Sequence, residues 1–281
     1  MKNILLVLLF FFTALPAFAA DDVKESAYDR VMRTGTIRCG YWDWEPFFRV
    51  DAATHEMTGI FRQVTDEIAR VSGLKVEWSS EVQFAQLVTD LNSGKIDAVC
   101  AGVWPSATRA KYIRFSDAVF FIPMNAYKRA NDTRFDRRPD DINQPSVSTV
   151  AIDGEMSVEI HNSDFPRAKL LSMPQLAGTA AEMLMNVATG KGDVAFTDAI
   201  QGAQFMESNP GKVKPIKFDI PLRMMPNTIA VGGNEERLQY FFNESLRELQ
   251  DSGVIEKLLA AHDKQYPGVL IRIAKSYEEK P

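Results

Sequence analysis

Apolar positions along the chain fall into two alternating rhythms. Gly35-Thr36-Ile37-Arg38-Cys39-Gly40 is a short extended run closed by glycine. After a turn-rich stretch, Ile60, Val64, Ile68 and Val71 recur at helical spacing up to Gly73. Residues 74–78 predict a second strand, and Phe84, Leu87, Val88 and Leu91 mark a second amphipathic helix ended by Asn92-Ser93-Gly94. Residues 96–101 predict a third strand. Strand, helix, strand, helix, strand in this order implies a parallel sheet with crossover helices.

The rhythm returns downstream. Residues 147–152 predict a strand and 177–187 a helix. Gly190-Lys191-Gly192-Asp193-Val194-Ala195 then echoes Gly94-Lys95-Ile96-Asp97-Ala98-Val99. In both places a helix closes on glycine, lysine follows, and an aspartate opens a buried strand. Two similar α/β lobes are the natural reading. The spacing Gly190-x-Gly192-x-x-Ala195 formally matches a dinucleotide fingerprint, but it follows a helix and precedes a strand, the wrong order for a phosphate loop. Toward the C-terminus, residues 228–231 predict a short strand and residues 235–251 and 253–262 two helices. Gln265-Tyr266-Pro267-Gly268 ends the regular structure, leaving a charged tail over 275–281.

Composition removes several function classes. The chain has 281 residues, 46% apolar and 25% charged, with a formal charge of −5. A surplus of acid argues against broad binding to nucleic acid. Two cysteines and the scattered His55, His161 and His262 lack the spacing of a metal motif, so no metal or cofactor is expected. Met1-Lys2-Asn3, the apolar run 4–12 and Ala17-Phe18-Ala19 have the form of a cleavable export signal over residues 1–19, too short to anchor in a bilayer. A periplasmic location follows. In that oxidising space Cys39 and Cys100 either form a disulfide or serve as two small buried hydrophobes.

Parallel sheets hold ligands at the carboxyl ends of their strands. After the first strand comes the dense aromatic stretch Tyr41-Trp42-Asp43-Trp44-Glu45-Pro46-Phe47. After the third comes Gly102-Val103-Trp104-Pro105-Ser106-Ala107-Thr108-Arg109. Ser106 can start a helix with Arg109 in its first turn, where a cation is unfavourable unless it faces an anion. On spacing alone, Arg109 reads as a solvated surface charge.

These segments resemble the periplasmic solute-binding proteins of the polar amino-acid class, family 3, that serve ABC transporters. The likeness runs over about residues 32–268. It is carried by Gly35-Thr-Ile-Arg-Cys-Gly, Glu45-Pro46-Phe47, Met57-Thr-Gly59, Leu91-Asn-Ser-Gly94-Lys-Ile-Asp97-Ala, Ala101-Gly102, Ser106-x-x-Arg109, Ile113-Arg-Phe115-Ser116-Asp117 and Gly192-Asp193-Val-Ala-x-x-Asp198. The resemblance implies a type II periplasmic binding protein fold, in which each of two lobes is a parallel-rich sheet flanked by helices. Residues 27–121 and 228–281 would form lobe 1 and residues 124–223 lobe 2, with crossovers at Phe121-Ile122-Pro123 and 223–227. Arg109 would take a ligand carboxylate, Asp198 and the Gly102 carbonyl its ammonium, and Trp44 and Phe84 would sandwich its side chain. Backbone near Gly154, Glu155 and Met156 would donate from lobe 2. The implied partners are a small-molecule solute and a membrane permease, with the protein itself a monomer.

Two positions depart from the family pattern. Trp104 stands where Ser or Thr usually meets the ammonium. Glu155 stands where Thr or Ser usually helps hold the carboxylate, and there it would pair with Arg109 or a cationic ligand. A receptor for a small zwitterion or organic cation is the expected function. The alternatives are an exported enzyme resembling cyclohexadienyl dehydratase, with Glu155 as general acid, and a stand-alone sensor or accessory binding protein.

Overall fold

Helix α1 (Ala27–Thr34) starts where the Ser26 hydroxyl accepts from the Asp29 N–H, and stops at Gly35 in the left-handed region. This computed structural model describes residues 24–174, 179–219 and 221–271. The expected export signal and charged tail lie outside the described residues, as do residues 177 and 178 of the expected helix. After α1 come β1 (Thr36–Tyr41), the small hairpin β2 (Arg49–Val50) and β3 (Met57–Thr58), α2 (Ile60–Ser72), β4 (Lys75–Glu81), α3 (Leu87–Ser93) and β5 (Ala98–Val103). Strand β1 lies between β4 and β5, parallel to both. All six residues of β5 are buried, as expected of a strand covered on both faces. Helix α2 presents Ile60, Phe61, Val64 and Ile68 to this core. Its entry needs glycine: Gly59 has φ +115°, and a Cβ there would lie 2.6 Å from the Phe47 carbonyl oxygen.

The chain continues through β6 (Ile113–Phe115) and the long β7 (Phe120–Arg129) into a second unit. That unit contains β8 (Ser148–Ile152), α4 (Met156–Asp164), β9 (Lys169–Met173), α5 (Ala180–Ala188), β10 (Val194–Asp198), α6 (Ala199–Ser208) and β11 (Val213–Pro215). Strand β8 runs parallel to both β9 and β10. The chain returns through β12 (Arg223–Gly232) and ends with α7 (Glu236–Asp251) and α8 (Val254–His262). The sheet order β4-β1-β5-β12-β7-β10-β8-β9 passes through both lobes. The expected strand over 228–231 is the second half of the ten-residue β12, whose first half is the second crossover. The expected helix beginning at Phe84 is instead a 3₁₀ turn, Phe84–Gln86, leading into α3.

The repeated Gly-Lys-x-Asp segment has the same use in each lobe. Asp97 accepts from the Arg38 backbone N–H (2.7 Å) at the start of β1, and from the Arg38 and Arg30 side chains. Asp193 accepts from the Ser148 backbone N–H (2.9 Å) at the start of β8, and from Arg129 and Arg134. Each aspartate thus fixes the register between two parallel strands at the end of the sheet away from the cleft. Cys39 and Cys100 form a disulfide between β1 and β5, with both residues fully buried.

Two outcomes are expected. Burial works against ionised Asp193, but its bonds from Ser148, Arg134 and Arg129 prevail and hold the carboxyl at about 2. A depressed folded pKa gives stability that is present above the ordinary aspartate range and lost as pH falls toward 2. Urea midpoints should therefore drop between about pH 4 and 2, and Asp193→Asn should flatten that drop. Replacing Cys39 and Cys100 by Ala opens a loop of sequence separation 61. The expected cost is about 2–4 kcal/mol, read as a lower urea midpoint than that of the oxidised parent.

Candidate functional site

A cavity of about 360 Å³ lies between the lobes, within the range of small-ligand sites. One wall comes from residues just beyond the carboxyl ends of three parallel strands: Trp42, Asp43 and Trp44 after β1, Gln83 and Phe84 after β4, and Trp104 and Arg109 after β5, with Gly102 inside the end of β5. The facing wall is Met124 of β7, the starts of α4 (Glu155, Met156, Ser157) and α5 (Thr179, Ala180, Met183), the end of β10 (Phe196, Thr197) and Gln201 of α6. A wider groove of about 1140 Å³ runs along the outer face of lobe 1 between α1, α2 and α7. Helix residues and the Ser252 cap line it, whereas the interlobe cavity lies at the carboxyl ends of parallel strands and is the candidate site.

Arg109 is the anchor of this cavity and is only 8% exposed. It opens a short 3₁₀ turn, not the expected helix, and the Ser106 hydroxyl accepts from its backbone N–H at 3.3 Å. Its Nη1 donates to the Trp104 carbonyl (2.8 Å) and its Nη2 crosses the cleft to the Gly154 carbonyl (2.9 Å). Its Cζ lies 4.4 Å from the centre of the Phe84 ring. Burial lowers its proton affinity, and Glu159 and Glu155 oppose that. An arginine remains charged here, and three of its five N–H donors are outside these two bonds.

The aromatic wall is an interlocked set. Trp44 meets Trp104 edge-on with centroids 5.2 Å apart, and Trp42 tilts against Phe84 at 5.4 Å. Trp104 Nε1 donates to Asn227 Oδ1 (3.2 Å) in the crossover strand. Gly102 is indispensable to this packing: at φ +89°, a Cβ would lie 2.7 Å from the Phe61 ring and 3.2 Å from Trp44.

Glu155 faces the cavity from the N-terminal end of α4 and makes no capping bond with its side chain. Its backbone N–H donates to the Ile152 carbonyl (3.1 Å), so that donor serves the turn and is not free for a carboxylate. Burial pushes its carboxyl up to about 7, with the Arg109 charge pulling the other way. Asp198, expected to accept an ammonium, does not line the cavity. It caps α6, with Oδ1 accepting from the Ile200 and Gln201 N–H groups at 2.9 Å. It is fully buried, its Oδ2 is inaccessible and unpartnered, and burial pushes the carboxyl up to about 6. Contrary to the expectation, the carboxylate is engaged in capping α6 and is not part of the cavity lining.

The structure therefore brings Trp44, Phe84, Gly102, Trp104, Arg109, Glu155 and Met156 to one cavity and leaves Asp198 beneath it. Sequence reading passed over Glu81, Gln83, Thr179, Thr197 and Gln201. Extending the strand-end rule to residues 79–83 would have found the first two. Thr179-x-x-Glu182, a capping box, marks the helix start that brings Thr179 to the cleft. Among the described residues, no group of three or more His, Cys, Asp or Glu could hold a metal ion, and no helix is long and apolar enough to cross a membrane.

Glu155 should titrate near pH 7 in carboxyl-detected NMR of the empty protein. In Arg109→Met the transition should move upward, because the opposing positive charge is gone. A titration near the ordinary glutamate range would contradict the burial described above.

This geometry accords with what the chain is similar to. The L-cystine-binding protein TcyA of Bacillus subtilis (strain 168) is 23% identical over 272 residues, spanning 92% of this chain and 96% of that protein. The arginine-binding extracellular protein ArtP of the same organism is 23% identical over 223 residues, spanning 77% and 81%. Among solved structures, the ancestral amino acid-binding protein AncCDT-1, a precursor of cyclohexadienyl dehydratase, superposes with a TM-score of 0.69 at 23% identity, covering 84% of this chain and 99% of that one. The family profile matches residues 37–264, most of the chain, and the chain belongs to the bacterial extracellular solute-binding proteins, family 3.

Proposed function

We propose that this protein is a periplasmic receptor that closes its two lobes around a small amino acid or related zwitterion or cation and delivers it, as a monomer, to an ABC permease. The observation that carries this reading is the cavity between the lobes, with the Arg109 guanidinium on one wall, the start of α4 on the other and aromatic faces between them. Residues 27–121 with 228–271 act as lobe 1 and 124–223 as lobe 2. The pairing of β7 with β12 at Phe120–Met124 and Arg223–Asn227 supports crossovers at these boundaries. Arg109 receives a ligand carboxylate, Trp44 and Phe84 bracket the side chain, and the Gly102 carbonyl receives an ammonium. The names of the relatives, binders of L-cystine and of arginine, support a solute with at least one amino group.

A second reading, an exported enzyme with Glu155 as general acid, is favoured by the carboxyl held near 7 inside an aromatic-walled cleft. The two readings separate in one calorimetric and thermal-shift screen of amino acids, amines and prephenate, with product analysis. A receptor binds at least one amino acid or amine without changing it, and a ligand at 100 times its dissociation constant adds about 2.7 kcal/mol of stability. Turnover of prephenate with no shift from any amino acid or amine would sink the receptor reading. For a carboxylate ligand, Arg109→Ala should weaken binding by about 10- to 100-fold, the worth of one charged hydrogen-bonding group. Unchanged affinity would remove Arg109 from the ligand contacts.

A further inference from the structure

Glu155 has no structural employment that explains a carboxylate at this place. Gly154, at φ +77°, turns the chain from β8 into α4, and Glu155 follows in extended conformation with no side-chain capping bond. The Ser157 hydroxyl accepts from the Ile152 N–H at 3.1 Å, which ties it to the turn from β8. Among the described residues, no hydrogen bond or ion pair is formed by the Glu155 carboxylate, and its one named electrostatic neighbour is Arg109. Arg109 in turn is committed to the Trp104 and Gly154 carbonyls and to the Phe84 face.

The charges around the cavity are unbalanced. Among the described residues, Arg109 is its one basic lining residue, whereas Asp43 after β1, Glu81 at the end of β4 and Glu155 are acidic. On Glu155's own helix, Glu159 adds another negative charge felt by Arg109, and His161 is turned to Thr149 at 2.7 Å. At the start of α6, Asp198 is sealed behind its cap. The walls between these groups are indole and phenyl faces, which attract cations through their quadrupoles. Resting on the receptor reading, we infer that Glu155 is the counter-ion for a cationic group of the ligand, an ammonium or guanidinium that enters between the aromatic wall and the start of α4. It sets a preference for ligands with a cationic side chain over those with a neutral one.

A buried carboxyl held near 7 must ionise to meet a cation. The bound state is thus favoured above pH 7. Below it, affinity should fall with a limiting slope of about tenfold per pH unit, with uptake of the cation releasing a proton.

The test is isothermal titration with two charged and neutral pairs of similar shape, lysine with norleucine and arginine with citrulline, plus agmatine, on the parent protein, Glu155→Gln and Glu155→Asp. The parent should bind the charged member at least about tenfold tighter, the equivalent of 1.4 kcal/mol. Glu155→Gln should bring each pair within about threefold, and Glu155→Asp should keep part of the preference. If Glu155→Gln does not fold, the parent's pH profile between 8 and 5 decides. Cation affinity that falls below pH 7 while neutral affinity stays flat supports the inference, and parallel profiles overturn it. A cation preference untouched in Glu155→Gln, or a preference for the neutral members, overturns this inference and leaves the receptor reading standing. No binding by any of the five probes or by the wider amino-acid screen overturns both.

Discussion

The backbone ladder between β7 and β12 is the constraint on which the rest of the molecule depends. It pairs Phe120–Met124 with Arg223–Asn227, and each strand then serves a different lobe. Beyond the ladder, β7 pairs with β10 and β11, while β12 pairs with β5 and β6. Pro123 and Pro226 fit this ladder because they stand at alternate positions that point away from the partner strand: Phe121, opposite Pro226, exchanges its backbone bonds with Ile271 instead. A two-strand crossing between two wider sheets is the kind of place where a hinge is built. Asn227 connects that crossing to the cavity: its Nδ2 donates to the Met225 carbonyl (3.1 Å) and its Oδ1 accepts from Trp104 Nε1 (3.2 Å). A change in crossover geometry therefore reaches the aromatic wall through Asn227, and through Phe120, which stacks on Phe47 beside Trp44.

Hinged closure is useful only if each lobe moves as a body. The paired aspartates provide this at the far end of each sheet, Asp97 tying β5 to β1 and Asp193 tying β10 to β8, each against two arginines. In the first lobe the Cys39–Cys100 bond joins the same two strands two residues before Gly102, so the floor beneath the aromatic wall is cross-linked. The contact from Arg109 to the Gly154 carbonyl then joins two stiff walls across the cleft.

Most of this frame was legible in the chain. Periodicity placed α2, α7 and the buried β5, and the repeated Gly-Lys-x-Asp segment announced two lobes because each copy does the same bonding work at the same topological place. The hinge strands at Phe121-Ile122-Pro123 and 223–227 came from the family resemblance, and the local pattern alone did not show them. Runs such as Arg223-Met-Met-Pro-Asn227 carry proline and no alternation, and only pairing with β7 makes them extended. The disulfide was left open because two cysteines in adjacent strands differ from two buried cysteines only in three-dimensional register. Arg109 looked like a surface charge on spacing and is buried because its cleft partners come from residue 154, far along the chain. Asp198 failed for the opposite reason: a residue at a strand end before a helix can face the ligand or cap the helix, and the local N–H groups of Ile200 and Gln201 captured its Oδ1.

The different surroundings of Asp198 and Glu155 have an electrostatic logic. A helix N-terminus favours negative charge, and both acids sit at such a position, one on α6 and one on α4. Asp198 spends that advantage on capping bonds and is still pushed up to about 6 by burial. Glu155 forms no such bonds and is pushed higher, to about 7, even with Arg109 nearby. An ionised carboxylate without donors in an apolar cleft is costly, and the cost falls when an opposite charge arrives with its own N–H groups. The cleft therefore holds an acid whose charged form is disfavoured, and under the inference drawn above a cationic solute would relieve that condition. Part of the affinity for such a solute would then come from the unfavourable surroundings of Glu155.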